Sequence, residues 1–379
     1  MWRPRVKSVF PPMPIDERTI AIGGADYGLA AELHDDEDRH LWQLLGLLDG
    51  SRSQEEIVAE IRRADPAVPA GDVEAAIQAL AEAGYVEDAP ITLPKMFSSA
   101  EVERYRRNVE FFSFFSRHPG TGYDFQDRLK RARVTVLGVG GLGSYVALAL
   151  GAAGVGDLQL VDDDVVEEHN LNRQVLYTSA DVGTSKVTAA RDRIVAINPY
   201  IKVTAVSARV GSVEDARGCF VDRDLVICAA DRPRIQIYEW LNAAAVAEGV
   251  AWIRGANDGL TVNTFLHVPG QTACFDCEQR HALATYPWYG ALLQFAKETL
   301  GDRTVNPCTA PIAGLIGSLT ALEAVKYLTG AATPVIYNRK LTIDLQTLET
   351  RLTEGVRDPS CPVCVPAPIV TKADEPCPG

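Results

Sequence analysis

The sequence lacks the features that would place the protein in a membrane. It has no run of about 18 consecutive apolar residues, the shortest stretch that indicates a membrane-spanning helix. Its first residues, Met1-Trp2-Arg3, do not open a signal peptide. We therefore expect a cytoplasmic protein with no membrane partner.

Positive charge is also scarce. The chain has 37 Lys and Arg against 50 Asp and Glu, which gives a net charge of −13. Non-specific binding to nucleic acid depends on cations that neutralise phosphates, so this balance argues against a nucleic-acid partner. No internal repeat is present, and 379 residues of which 47% are hydrophobic predict two or three globular domains.

The cysteines indicate a metal site rather than disulfides, which are rare in cytoplasmic proteins. Four of the eight form two CxxC pairs, Cys274 with Cys277 and Cys361 with Cys364. Two such pairs supply four thiolates to one tetrahedral ion, which predicts a structural zinc site with four cysteine ligands and no position open for water. A redox pair is the alternative, but such a pair usually starts a helix in a thioredoxin-like unit.

A glycine-rich segment between two predicted strands carries the first functional signal. A buried strand leads into Gly138-x-Gly140-Gly141-x-Gly143, a helix follows, and the next strand ends at the acidic run that begins with Asp162. Such glycines let the backbone approach a phosphate or ribose at a helix N-terminus, and an acid about 20 residues later suits ribose hydroxyls. The pattern predicts a βαβ nucleotide-binding fold.

Residues beyond the second strand favour a triphosphate over a redox cofactor. Arg173 and Lys186 follow the acidic run, and Asp231 ends a later strand. A dehydrogenase has no need of an Arg and a Lys close to the ribose acid, whereas both bind phosphate oxygens. An acid at a strand end can hold Mg²⁺ together with phosphates.

Together these motifs resemble the ThiF/MoeB/HesA family of adenylating enzymes, which is related to the ubiquitin activators. The resemblance covers most of the chain, from about residue 104 to residue 364, and the family has the same paired CxxC arrangement. It implies an α/β, Rossmann-like adenylation domain with a mainly parallel sheet. It also implies a nucleotide-binding set: Gly138, Gly140, Gly141, Gly143, Asp162, Asp164, Asn170 and Gln174.

The resemblance implies an ATP-dependent adenylyltransferase that forms an acyl-adenylate and releases pyrophosphate. Asp162 would hold the ATP ribose, and Arg173 and Lys186 would bind phosphates. Asp231 would bind Mg²⁺, which makes it the third member of the catalytic group.

Three of the implied site residues have a simpler interpretation. Asn170 and Gln174 would orient the triphosphate side of ATP, but they can equally cap a turn. Asp231 can cap the helix that follows it.

A basic stretch before the glycines suggests a homodimer. The family has an arginine here that reaches the ATP site of the neighbouring subunit, and the register with its Arg-Tyr-x-Arg pattern selects Arg107 as a fourth catalytic residue. The alternative is that Arg107 lies on a solvated helix face.

The first 92 residues have no counterpart in the adenylating fold. Two strands with a Gly-rich turn between them, three helices and a further short strand predict an α+β winged helix-turn-helix. Ser53 and Glu56 form a capping box at the start of the second helix. The third helix, from Asp72 to Ala83, has no Lys or Arg with which to bind DNA phosphates.

This module resembles the PqqD-like element that recognises the leader of a ribosomally made precursor peptide. The resemblance implies that the leader adds as a strand to the sheet edge. A bare packing or dimerisation module is the alternative. We divide the chain into residues 1–92 for this module, 93–100 for a linker, 101–366 for the ThiF-type adenylation domain and 367–379 for a disordered tail.

The two resemblances predict adenylation of a carboxyl group on a precursor peptide, in the biosynthesis of a peptide natural product. The cofactors would be ATP, Mg²⁺ and structural Zn²⁺, and the partners the precursor peptide, a second copy of the chain and other modifying enzymes. One alternative is a non-catalytic partner that presents the peptide to another enzyme, and another is an adenylyltransferase for a sulfur carrier protein. Cys308 lies near the substrate region, but its position differs from that of the family's thioester cysteine.

Overall fold

The computed structural model describes residues 2–23, 31–89, 95–295 and 307–364. The chain divides into two compact units, Met1–Asp127 and Arg128–Gly379. The predicted Gly-rich turn, the first residues of the predicted linker and the predicted tail lie outside the described residues.

The described residues of the first unit form two small antiparallel sheets and four helices, and a fifth helix begins near the end of the unit. Strand β1 pairs with β5, while β2, β3 and β4 form a sheet in that order. The bounds in chain order are β1 (Pro4–Val6), β2 (Pro12–Pro14), β3 (Thr19–Ile22), β4 (Ala31–His34), α1 (His40–Leu47), α2 (Gln54–Ala64), α3 (Ala70–Glu82), β5 (Val86–Asp88), α4 (Ser99–Ser113) and α5 (Gly122–Arg131).

Local sequence signals account for these helices. The capping box at α2 is confirmed, because the Ser53 hydroxyl accepts the Glu56 amide and the Glu56 carboxylate accepts the Ser53 amide. Leu44, Ile57 and Ile77, one from each of the first three helices, are buried in a common core. The three predicted helices are therefore present, while the winged-helix class and the boundary at residue 92 stay predictions.

A buried lysine ties the N-terminal strand to α4. The Lys7 side chain is 1% exposed. Its ammonium donates to the Ser113 carbonyl at 3.0 Å, and to the Ser116 carbonyl at 2.7 Å and hydroxyl at 2.9 Å. Burial lowers the pKa of Lys7 to about 8, against the opposing effect of Glu87. The first unit thus includes α4 as well as the module predicted from sequence.

The second unit is an eight-stranded sheet with helices. The bounds are β6 (Arg133–Leu137), α6 (Gly141–Ala153), β7 (Asp157–Val161), α7 (Lys186–Ile197), β8 (Lys202–Val206), α8 (Val213–Gly218), β9 (Leu225–Cys228), α9 (Gln236–Glu248), β10 (Ala251–Asp258), β11 (Thr261–His267), α10 (Phe275–Thr285), α11 (Tyr289–Phe295), α12 (Ala310–Thr329), β12 (Arg339–Asp344) and β13 (Thr350–Glu354).

The sheet is parallel on one side and antiparallel on the other. Its order is β13-β12-β11-β10-β9-β6-β7-β8, and the five strands from β10 to β8 run parallel. Strands β11, β12 and β13 extend it as antiparallel neighbours. This is the Rossmann-like α/β class predicted from sequence, and it brings the ends of β6, β7 and β9 to one edge.

Helix α12 is the one described helix long and apolar enough to cross a membrane. It packs closely on α6: a Cβ added to Gly317 would lie 2.6 Å from the Tyr145 Cβ and 2.9 Å from the Leu142 carbonyl oxygen. Ile316 and Ala324 of the same helix are buried. Its apolar composition is that of a core helix.

Candidate active site

The glycine loop between β6 and α6 has a backbone conformation and close contacts that leave no room for a Cβ atom at two of its positions. Gly138 has a φ of +84°, and a Cβ there would lie 2.8 Å from the Ala230 nitrogen. A Cβ on Gly143 would lie 1.8 Å from the Gly138 carbonyl oxygen. These two glycines let β6 turn sharply into the helix, so the N-terminus of α6 faces the edge of the sheet.

The other two glycines face the candidate ligand side of the loop. A Cβ on Gly140 would lie 3.7 Å from the Gln174 Nε2, and one on Gly141 would lie 3.7 Å from the Arg173 Cδ. The spacing is ordinary van der Waals contact, so the glycines are not required by packing at these two points. They leave room in front of a helix N-terminus, which is a favourable place for phosphate.

Asp162 holds this loop from the end of β7. Its Oδ2 accepts the Val139 amide at 2.8 Å, and its Oδ1 accepts the Asp164 amide at 2.9 Å. Burial raises the pKa of Asp162, against the opposing effect of Lys186. Each carboxylate oxygen has a further lone pair, so the residue fits the predicted contact with ribose hydroxyls.

Lys186 and Asp164 form an ion pair beside this acid. The Lys186 ammonium lies 2.6 Å from the Asp164 Oδ2, and the lysine side chain is 7% exposed against 65% for the aspartate. Asp164 therefore lies at the surface, whereas Lys186 is buried and contacts Asp164 through its ammonium group. A phosphate that approached the loop would meet a lysine already directed towards the acidic edge.

The turn after β7 positions Asn170 and Gln174 differently. The Asn170 Oδ1 accepts the Glu167 amide at 3.0 Å, so Asn170 does cap a turn, in agreement with the simpler interpretation. Gln174 is 3% exposed, and its Oε1 is buried with no hydrogen-bond partner among the described residues. A buried amide with an unmet atom beside Gly140 fits a polar ligand at this point.

Arg173 lies on the same turn with its guanidinium anchored at one end. Its Nη1 donates to the His169 carbonyl at 2.9 Å and to the Asn172 Oδ1 at 3.0 Å. Its stem passes Gly141 at the start of α6. The remaining donors of the guanidinium can bind phosphate oxygens.

Asp231 lies in the exposed turn after β9, at the same edge of the sheet. Cys228, the last residue of β9, pairs in register with Leu137 of β6, directly before Gly138. Ala230 approaches Gly138 closely. The turn thus brings Asp231 towards the loop, where a carboxylate is a suitable ligand for Mg²⁺.

Arg107 lies in the first unit, on α4. Its side chain is 80% exposed and pairs with Glu110 at 2.6 Å, one helical turn away. This is the arrangement expected of a solvated helix face, and it is equally open to a partner subunit. Its role across a dimer stays a prediction.

The four cysteines of the two CxxC pairs converge. The sulfur separations are 3.7 Å for Cys274 and Cys277, 3.6 Å for Cys274 and Cys361, and 3.6 Å for Cys277 and Cys364. A tetrahedral zinc ion about 2.3 Å from each sulfur would separate the sulfurs by about 3.8 Å, whereas disulfides need about 2.05 Å. The donor set therefore fits zinc.

The surroundings of the cysteines complete the fit. The Asp358 amide donates to the Cys277 sulfur at 3.3 Å, and all four cysteines are at most 5% exposed. Burial raises the pKa of Cys274 to about 12, and a bound metal ion would favour its thiolate. Such a site would fix the segment around residue 361 to the start of α10.

The structure also places three of the remaining cysteines, whereas Cys377 lies outside the described residues. Cys219 and Cys228 are core residues. Cys308 is half-buried, and α12 begins two residues later, so it lies at the start of the helix. Burial raises the pKa of Cys308, with Arg173 opposing, which disfavours a reactive thiolate.

Sequence patterns missed two features near the site. Tyr177 donates its hydroxyl to the Val139 carbonyl at 2.8 Å and so helps to hold the glycine loop. A buried network of Arg254, Glu278 and Lys340 lines a cavity on the neighbouring strands. Strand register brings Arg254 and Lys340 together and α10 supplies Glu278, so no local motif could have revealed the network.

Comparisons with known proteins agree with this geometry. The ThiF family model matches residues 105–363. Molybdopterin-synthase adenylyltransferase of Escherichia coli is 33% identical over 267 residues, covering 70% of this chain and 98% of that protein. The sulfur carrier protein adenylyltransferase of Thermus thermophilus is 36% identical over 272 residues, covering 71% and 92%.

A solved structure extends the likeness in fold over nearly the whole chain. E. coli MccB, solved with ATP, superposes with a TM-score of 0.75 at 21% identity and covers 95% of this chain and 99% of its own. MccB has also been solved in complex with N-formylated MccA and is described there as a microcin C7 biosynthetic enzyme. The family match, the relatives and the nucleotide loop agree: the chain belongs to the ThiF family and is an ATP-dependent adenylyltransferase.

Proposed function

We propose that the protein adenylates a carboxyl group of a ribosomally made precursor peptide, whose leader it holds through its N-terminal module. The observation that carries the proposal is the extent of the likeness to MccB, which covers 95% of this chain, whereas the adenylyltransferase relatives cover about 70%. MccB was solved with a bound peptide, N-formylated MccA. The additional N-terminal unit is therefore where a peptide substrate would be selected.

The chemistry follows from the charges around the glycine loop. The peptide carboxylate attacks the α-phosphorus of ATP, a new P–O bond forms, and the bond to the β-phosphate oxygen breaks to release pyrophosphate. Arg173 and Lys186 supply positive charge near the N-terminus of α6, and Asp162 places the ribose. Mg²⁺ held with Asp231 would neutralise the departing pyrophosphate.

The sheet of the first unit favours one edge for leader binding. Ile15 donates its amide to the Thr19 carbonyl, so amides at alternate positions along β2 face β3. The positions between them, which face away, are Pro12 and Pro14, and proline has no amide hydrogen to offer. Strand β2 therefore cannot give a regular ladder to an added peptide.

Strand β4 is the suitable edge. Asp35 donates its amide to the Arg18 carbonyl, so the amides of Glu32 and His34 face away from β3. Both side chains are exposed, while Ala31 and Leu33, which alternate with them, are half-buried. An extended leader could pair with this edge and place alternate side chains against the apolar residues.

One second candidate is favoured by a specific observation. Relatives at 33% and 36% identity are adenylyltransferases for molybdopterin synthase and a sulfur carrier protein. On this alternative the acceptor is the C-terminus of a small protein, and the N-terminal unit serves packing or dimerisation only.

The test is ATP–pyrophosphate exchange by the full chain, with labelled pyrophosphate. The substrates are any short peptide that neighbouring genes are found to encode, the same peptide without its N-terminal leader, and a purified sulfur carrier protein. The proposal expects exchange with the full peptide and a strongly raised KM without the leader. Exchange with the carrier protein alone would establish the second candidate, and tight peptide binding without exchange would indicate a non-catalytic presenter.

A further inference from the structure

A cavity of about 320 Å³ lies on the antiparallel side of the sheet, outside the nucleotide loop. Its floor is formed by strands β10, β11 and β12, and helices α9 and α10 contribute the side. Aromatic side chains line its mouth, and Tyr286 and Trp288 are 49% and 60% exposed. Exposed aromatic side chains around a concave site are typical of a binding surface.

The floor of this cavity carries an ionic network with two cations and one anion. The Arg254 Nη2 lies 3.0 Å and 3.2 Å from the two carboxylate oxygens of Glu278, and the Lys340 ammonium lies 3.0 Å from one of them. Asp258 is at the exposed rim and accepts the Asn263 amide at 2.7 Å. Arg254, Lys340 and Glu278 together therefore carry one net positive charge, and Asp258 is an anion that opposes it from the exposed rim.

Arg254 is built into the floor rather than held at the surface. Its residue is 8% exposed, and its guanidinium carbon lies 5.3 Å from the ring centres of both Tyr238 and Phe275. Its Nε has no hydrogen-bond partner among the described residues. Although burial opposes ionisation, Arg254 and Lys340 together lower the pKa of Glu278 to about 2.

Lys340 is the member of the network that a ligand can reach. Its side chain is 36% exposed, and its ammonium has three donors, of which one is used by Glu278. A ligand carboxylate that entered the cavity would neutralise the excess charge and pair with Lys340. The aromatic mouth would cover the apolar part of the same ligand.

The strand register places this cavity close to the reaction centre. Arg254 pairs with Cys228, which pairs with Leu137 directly before Gly138. At about 4.8 Å between strands, the Cα atoms of Arg254 and Leu137 lie about 10 Å apart. Asp231 follows shortly after Cys228, the β9 partner of Arg254, so the segment that carries Asp231 begins beside the floor of the cavity. About three residues of extended peptide would span this distance.

We propose that this cavity binds the side-chain carboxylate of an acidic residue in the peptide substrate, about three residues from the carboxyl group that is adenylated. Lys340 and Arg254 are its cationic partners, and Glu278 holds the two in place. That the carboxylate belongs to a peptide substrate rests on the proposed function, but the binding of a carboxylate in the cavity does not depend on ATP or on turnover. The proposed carboxylate site and the proposed function can therefore be disproved independently of each other.

The test measures binding of small probes to the full chain in the absence of ATP, by saturation-transfer NMR. The probes are N-acetylglutamate α-amide, its neutral analogue N-acetylglutamine α-amide, and N-acetyllysine α-amide. The proposal expects saturable binding of the glutamate probe alone. Equal binding of the glutamine probe, or preference for the lysine probe at Glu278 and Asp258, would overturn it.

Variants assign the binding to Lys340. We expect Lys340→Gln to weaken the glutamate probe about tenfold or more, the loss that follows when a hydrogen bond to a charged group is removed. Lys340→Arg should retain binding. Lys202→Gln is the matched control. Lys202 is also a strand lysine paired with a carboxylate, Asp157 at 2.9 Å, but it lies on β8, at the other end of the sheet from the cavity. Unchanged affinity for the glutamate probe in a folded Lys340→Gln protein would also overturn the proposal. If the wild-type chain binds the glutamate probe but does not adenylate a peptide, that result counts against the proposed function only.

Discussion

Asp162 accepts the Val139 amide at 2.8 Å and thereby joins the end of β7 to the glycine loop that follows β6. Its second oxygen accepts the Asp164 amide, two residues along the chain. The residue predicted to hold the ribose thus also fixes the backbone on which the phosphates would lie. Loop shape and ribose binding depend on one carboxylate.

Removing this carboxylate should weaken ATP binding without unfolding the chain. We expect Asp162→Ala to reduce ATP affinity by at least tenfold, because hydrogen bonds to a charged group contribute about 1.5–3 kcal/mol each. Titration calorimetry with ATP measures the change. Asp163→Ala is the matched control, since Asp163 is an exposed neighbour. An equal loss in both variants would show that the effect is only the removal of local charge.

The cysteine cluster should contain about one zinc ion per chain. Cys361→Ser should lose the metal and lower the melting temperature, because the segment around residue 361 is then no longer fixed to α10. Elemental analysis and thermal unfolding check both effects. Cys219→Ala, at a buried cysteine outside the cluster, should retain the metal. Full metal content in Cys361→Ser would show that the four cysteines are not the ligands.

Lys7 should make stability depend on alkaline pH. Burial lowers the pKa of Lys7 from 10.5 to about 8, so between these pH values the unfolded chain holds a proton that the folded chain lacks. Because the unfolded state binds more protons than the folded state in this range, raising the pH disfavours unfolding. The contribution of Lys7 to the free energy of unfolding therefore increases from about pH 8 to 10. Denaturant unfolding of wild type and Lys7→Met across this range measures it.

In Lys7→Met this contribution should be absent, and in Lys202→Met, at an exposed lysine, it should remain. The same pH dependence in all three proteins would contradict the assignment to Lys7.

Arg107 allows a test of the predicted homodimer. If it completes the partner's ATP site, Arg107→Ala and Arg173→Ala are each inactive alone, but a mixed dimer contains one site with both arginines intact. Random subunit exchange should then restore about a quarter of wild-type pyrophosphate exchange. Mixtures that stay inactive, although mass spectrometry shows mixed dimers, would place Arg107 outside the partner's site.

Local patterns predicted the elements whose signals lie close together in the sequence. The order strand, glycines, helix, strand and acid predicted β6, α6, β7 and the position of Asp162, because each step obeys short-range steric rules. Each CxxC pair is also a local signal, but the convergence of the two pairs is a long-range contact, and it was predicted from the preference of structural zinc for four ligands. The fold class also followed from this order.

Contacts between residues that are distant in the chain depend on the long-range packing of strands and helices, which local sequence patterns do not predict. Arg254, Glu278 and Lys340 meet because β12 lies two strands from β10 and the Glu278 side chain of α10 contacts a cation on each, and no spacing in the chain encodes this. The pairing of Lys186 with Asp164 likewise depends on how the segment after β7 folds back, whereas the turn-capping bond of Asn170 is local and is one of the two interpretations that the sequence offers.

The transfer of carboxylate oxygen tests the central claim most directly. A precursor peptide labelled with heavy oxygen in its carboxyl groups is incubated with the full chain and ATP, and AMP is analysed by mass spectrometry after the adenylate is hydrolysed or attacked. Attack of the peptide carboxylate on the α-phosphorus predicts AMP that has gained one labelled oxygen, in an amount that depends on the leader. Unlabelled AMP, or release of ADP and phosphate instead of pyrophosphate, would contradict the account.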